Sequence, residues 1–149
     1  MDFIPFKSLN EIRLEAFEAD PLMLRYIRRQ TEEICLDAVR RDGLALEYVI
    51  DQTEKICLQA VCQNGLALMF VREQADEITN AAVCQNGLAL KHVDNPNMSL
   101  IMIALSNDGS ALQFVKDQNN MYCVIAIEQD PLNLKYVKGQ TEDLCIAAV

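Results

Sequence analysis

Six cysteines and a single histidine are the residues in this 149-residue chain best suited to metal, redox or nucleophilic chemistry. Cys35, Cys57, Cys123 and Cys145 are separated by 22 residues or a multiple of it, which is the spacing of a structural unit and not of a Cys-x-x-Cys zinc site. They read as small core residues. Cys57 and Cys62 stand five apart, which does not match zinc-ligand spacing either. His92 alone could complete a Cys/His ligand set, and with one histidine there is no strong acid–base or triad candidate. The glycines are isolated, so no phosphate-cradling loop is present. Carboxylate pairs such as Glu32 and Glu33 read as surface residues of a helix's first turn. The expectation is a non-enzyme with no catalytic, cofactor-binding or metal-binding residues.

The spacing of the cysteines leads to the elements that carry them. Stepping by 22 from Ser8, the chain reads SLNEIRLEAFEADPLMLRYIRR, QTEEICLDAVRRDGLALEYVID, QTEKICLQAVCQNGLALMFVRE, QADEITNAAVCQNGLALKHVDN, PNMSLIMIALSNDGSALQFVKD, QNNMYCVIAIEQDPLNLKYVKG and a final half, QTEDLCIAAV, without a gap. Units therefore start at residues 8, 30, 52, 74, 96, 118 and 140, and positions within each are numbered 1 to 22. Position 9 is always Ala (Ala16, Ala38, Ala60, Ala82, Ala104, Ala126, Ala148) and position 17 always Leu. Position 13 is Asp or Asn, position 14 Gly or Pro, and position 20 Val or Ile. In this register His92 takes the place of Tyr26, Tyr48, Phe70, Phe114 and Tyr136, so it reads as an aromatic substitute.

Each unit reads as two helices. At about 100° per residue, Thr31, Ile34, Cys35, Ala38 and Val39 share one side of the first, and Glu33, Asp37, Arg40 and Arg41 fill the other. Thr31, Thr53 and Thr141 are candidate N-caps. The second helix is short, as in Leu44 to Val49, and polar only at position 18. Asn64-Gly65 could end the first helix with a left-handed glycine. Pro21 and Pro131 at the same position favour the other reading, in which Asp/Asn caps the second helix and Gly/Pro is its first residue. A helix this short needs neighbours to be stable. The constant Ala marks close helix approach, where Leu at Ala60 or Ala82 would overpack.

The fold class predicted is therefore all-α: an α-solenoid of six short helical hairpins plus a terminal half-repeat, forming a single helical-repeat domain over residues 8–149. Residues 1–7, with Phe3, Ile4 and Phe6, would form an N-terminal cap segment. Leu144, Ile146 and Val149 leave an apolar end, expected to be either a truncation or a self-associating surface.

QTEEICLDAVRRDGLALEYV, repeated as QTEKICLQAVCQNGLALMFV, resembles an uncharacterised 22-residue helical repeat family, a domain of unknown function abundant in giant DNA viruses of amoebae and found in some intracellular bacteria. The resemblance runs from Ser8 to Val149 and is weakest in the first, fifth and sixth units, where Pro96 and Met121 break the pattern. It implies a viral or effector origin and action inside a host cell, in the host cytoplasm or the virion, and carries over no catalytic residues.

A formal charge of −9 argues against nucleic acid and anionic membranes as partners; its first meaning is solubility, and a basic protein partner is the sharper alternative. No apolar run, Leu100 to Leu105 included, approaches the length of a membrane span, and no export signal is present. Reduced thiols and a cytoplasmic location are expected. Cys62 and Cys84 fall on the polar side of the first helix, one unit apart, without a disulfide between them. Position 8 passes from Glu15, Asp37 and Gln59 through Ala81 to Ile103 and Ile125, and Met121 lies beside Ile125. Ile103, Met121 and Ile125 are the candidate partner-binding residues, unless another segment covers them. The function expected is a non-catalytic protein–protein interaction scaffold, or alternatively a self-associating structural component of a virion or assembly.

Overall fold

The computed structural model describes residues 15–139. The N-terminal cap segment, Thr141, Cys145, Ala148 and the half-repeat with its apolar end lie outside them. The described chain is an all-α solenoid in which α-helices alternate with 3₁₀ helices. The α-helices span Glu32–Arg41, Glu54–Gln63, Asp76–Gln85, Met98–Asn107 and Asn120–Gln129. The 3₁₀ helices span Pro21–Tyr26, Gly43–Tyr48, Gly65–Phe70, Gly87–His92, Gly109–Phe114 and Pro131–Tyr136. Successive α-helices pack in one row and successive 3₁₀ helices in a second, with each α-helix also seated on the 3₁₀ helix of the unit before it.

The residue at position 13 closes one helix and opens the next. Asp42 donates its N–H to the Ala38 carbonyl, and its side chain accepts from Leu44 N at 2.9 Å. Asp20, Asn64, Asn86, Asp108 and Asp130 repeat the second bond. Among the described residues no glycine has a positive φ. The left-handed glycine reading is thereby set aside, and Pro21 and Pro131 fit because the first helical N–H has no intrahelical acceptor to lose. Thr31 and Thr53 cap their helices as expected, accepting from Ile34 and Ile56.

The second helix of each hairpin is 3₁₀ rather than α. Six residues make two turns of three, and side chains three apart then lie in line. Gly43, Leu46 and Val49 are buried in such a line, while Glu47 faces solvent. This explains why positions 14, 17 and 20 are so restricted. Leu24, Leu46, Leu68 and Leu112 are fully buried and Leu90 nearly so. Each is worth about 1.5–3 kcal/mol relative to an exposed side chain. The invariant alanines from Ala38 to Ala126 are fully buried too, and among the described ones only Ala16 is exposed.

Candidate interaction face

The outer side of the α-helix row changes character along the stack. In the helices Glu32–Arg41 and Glu54–Gln63 it presents Glu32, Glu33, Asp37, Arg40, Glu54 and Lys55, all exposed. Lys55 Nζ pairs with Glu32 at 2.9 Å across units, an exposed pair of little energetic weight that nonetheless shows which positions adjoin. In the fifth and sixth units those two positions are held by Met98 and Met121, which are 56% and 43% exposed.

The three candidate residues are not equivalent. Met121 is exposed, whereas Ile103 and Ile125 are half-buried against the core. Ile103 lines an open groove between two α-helices with Cys84, Ser99, Met102, Ser106 and Asn107. Ile103 thus lies between neighbouring helices, not at the crest of the outer face. Met98 is an exposed apolar residue that the position-8 series did not reveal. Its signal in the sequence was an apolar residue at position 3, where Glu32, Glu54 and Asp76 stand in other units.

Polar side chains in the interior serve the backbone. Gln30 Nε2 donates to the Leu24 and Tyr48 carbonyls at 3.3 and 2.8 Å, and its Oε1 accepts from Ile50 N at 2.9 Å. Gln52 and Gln118 repeat this clamp. Cys35 Sγ and Cys57 Sγ stand 3.7 and 3.8 Å from the Oε1 atoms of Gln30 and Gln52, as weak donors behind the clamp. Burial raises the pKa of the Cys35, Cys57 and Cys123 thiols above the ordinary value, which keeps them protonated donors. Cys62 and Cys84 are exposed free thiols.

His92 is partly buried in the aromatic column, with its Nε2 enclosed and without a hydrogen-bond partner among the described residues. Burial, and then the neighbouring Lys91 charge, lower its pKa. Among the described residues no group of three or more Cys, His, Asp or Glu is arranged to hold a metal ion. No described helix is long and apolar enough to cross a membrane.

The class defined by these features is an all-α repeat solenoid. The family described as Domain of unknown function (DUF4116) matches residues 31–74, a stretch that runs from the N-cap of one α-helix to the first residue of the fourth unit. No curated protein and no solved structure matches the chain.

Proposed function

We propose that the protein is a non-catalytic scaffold that binds another protein through the apolar end of its α-helix row. The supporting observation is the change along that row, from charged residues at Glu32, Asp37 and Lys55 to Met98, Ile103, Met121 and Ile125. Solvent-exposed methionines adapt to a partner's shape at low cost, and contiguous apolar surface is unusual unless it is covered in use. With a formal charge of −9 over the chain, the fitting partner is a basic protein segment with an apolar centre. The resemblance to repeats abundant in giant viruses supports a host-cell setting, in the cytoplasm or the virion.

The test is the double variant Ile103→Glu with Ile125→Glu, together with Met98→Glu/Met121→Glu, assayed by pull-down and by mass in solution. Loss of a captured protein from both double variants, with the fold intact by circular dichroism, supports the scaffold. A concentration-dependent mass that the same substitutions abolish, without a captured protein, identifies the face as a self-assembly surface instead. Unchanged capture and mass discard the site.

A further inference from the structure

The apolar end of the α-helix row is defined by what it lacks as much as by what it shows. The ten residues of the helix Met98–Asn107 include no charged side chain, and those of Asn120–Gln129 only Glu128. Where Lys55 pairs with Glu32 between earlier units, the corresponding places are held here by Met121 and Met98. Met102, Ile103, Val124 and Ile125 lie deeper, half-buried and packed against the core. Together they make an apolar strip over two adjacent helices, about 15 Å long at the usual helical rise. Charge returns only at the margins, with Asp76 and Glu77 on the preceding helix and Glu128 near the far end, all exposed. The helices Asp76–Gln85, Met98–Asn107 and Asn120–Gln129 contain no lysine or arginine.

These absences restrict what can cover the strip. Methionine, isoleucine and valine side chains offer no hydrogen-bond donor, and a thioether is only a weak acceptor. The backbone beneath them is spent on bonds within the two helices. An extended segment laid here would bury its own N–H and C=O groups without partners, each at a cost comparable to a lost hydrogen bond. No strand edge exists among the described residues to accept it by β-pairing. A helix arrives with its backbone bonds already made and presents only side chains. A second copy of this chain would bring Asp76, Glu77 and Glu128 to margins that carry the same residues, setting like charge against like.

Resting on the reading of this face as a protein-binding site, we infer that its occupant is an amphipathic α-helix of a basic partner. The helix lies along the strip for about three turns, the length the strip allows. Its apolar residues, at i, i+3 or i+4 and i+7, cover Met98, Ile103, Met121 and Ile125. Lysine or arginine on its flanks reaches Asp76, Glu77 and Glu128, where no base of these three helices competes. Methionine at the two most exposed places of the strip suits such a partner, because a flexible thioether adapts to differing apolar side chains.

Three synthetic peptides of about 18 residues, long enough to hold a helix, are the probes. The first carries leucine at helical spacing and lysine elsewhere. The second places two prolines at its centre, which break the helix, and the third replaces the lysines with glutamate. Fluorescence anisotropy on the full chain should show the first binding at least roughly tenfold more tightly than either of the others. Met98→Glu with Met121→Glu should abolish that binding, with the fold intact by circular dichroism. Glu128→Lys should weaken it by about threefold or more at low salt, and by less as salt is added. If the helical and proline-broken probes bind equally and the methionine variant loses both, the helix is overturned while the protein-binding face stands. If that variant binds every probe as the parent chain does, the face falls as well. Absence of binding by the first probe overturns the inference outright.

Discussion

Gly65 donates its backbone N–H to Gln85 Oε1 at 2.6 Å, so a carboxamide from one unit seals the start of the preceding unit's 3₁₀ helix. The same glycine faces the Ala82 carbonyl so closely that a β-carbon there would be nearer to it than real β-carbon contacts come. Its φ is not positive, so the need for glycine is one of space. Pro21 takes the equivalent place in the first unit. It has no N–H to offer, and the position-12 residue opposite is Arg41, which donates to the Phe17 and Glu18 carbonyls instead.

Gly65→Ala should therefore lower stability by about 1–3 kcal/mol, the usual cost of overpacking. Gly139, where an added methyl group would meet nothing within 4 Å, is the control: Gly139→Ala should be neutral or stabilising by up to about 1 kcal/mol. Urea denaturation of both variants separates the two. Equal midpoints would show that the glycine–alanine contact does not limit the stack.

Removing a carboxamide clamp should cost according to the bonds it makes. Gln52 makes two donor contacts to the Leu46 and Phe70 carbonyls and accepts from Arg72 N. Gln74 makes one, to the His92 carbonyl. Gln52→Ala is expected to lose about 1–3 kcal/mol and Gln74→Ala about 1 kcal/mol or less. A reversed order in chemical denaturation would show that these bonds merely replace equivalent bonds to water.

The repeat, its register and the double helix of each unit are legible in the sequence because Ala60, Leu68 and Val71 recur without gaps. The Asp/Asn cap is legible from Pro21 and Pro131, since proline excludes a left-handed conformation. The 3₁₀ geometry was written in the three-residue spacing of Gly43, Leu46 and Val49, but it disappears when the turn is plotted at α-helical periodicity. The clamps were not legible. A glutamine at a helix entry reads as a surface residue, and only the placement of Tyr48 and Ile50 beside Gln30 gives it backbone partners. The candidate face was legible in part. Met121 is exposed, whereas the degree to which Ile103 and Ile125 sink between neighbouring helices depends on the stacking, which a single-helix projection does not contain.

The thiols should fall into two classes. Cys62 and Cys84 are exposed, whereas Cys35, Cys57 and Cys123 are buried, and burial raises the pKa of each of these three. Only the thiolate attacks a disulfide reagent, so at pH 8 Cys62 and Cys84 should be modified rapidly. The buried three should react only as the stack opens. Peptide mapping after brief labelling checks this, and early modification of Cys57 would contradict the packed junction between the second and third units.

His92 should give the protein a distinct acid sensitivity. Its neutral form is favoured in the fold because burial, and then Lys91, penalise the imidazolium, so its folded pKa lies below the ordinary 6.5. Well above pH 6.5 the side chain is neutral whether the chain is folded or not, and it contributes little pH dependence. As the pH falls through 6.5 the unfolded chain takes up the proton first, which draws the equilibrium toward unfolding until the folded pKa is also passed. Phe70 and Phe114 fill the same position in the flanking units, so His92→Phe keeps the shape and removes both the proton site and the unpartnered Nε2. The variant should be more stable by about 1 kcal/mol at pH 7.5, and its advantage should widen as the pH is lowered to 5. Urea midpoints measured at both pH values decide this: a constant gap would show that the His92 ring protonates as freely in the folded solenoid as in the unfolded chain.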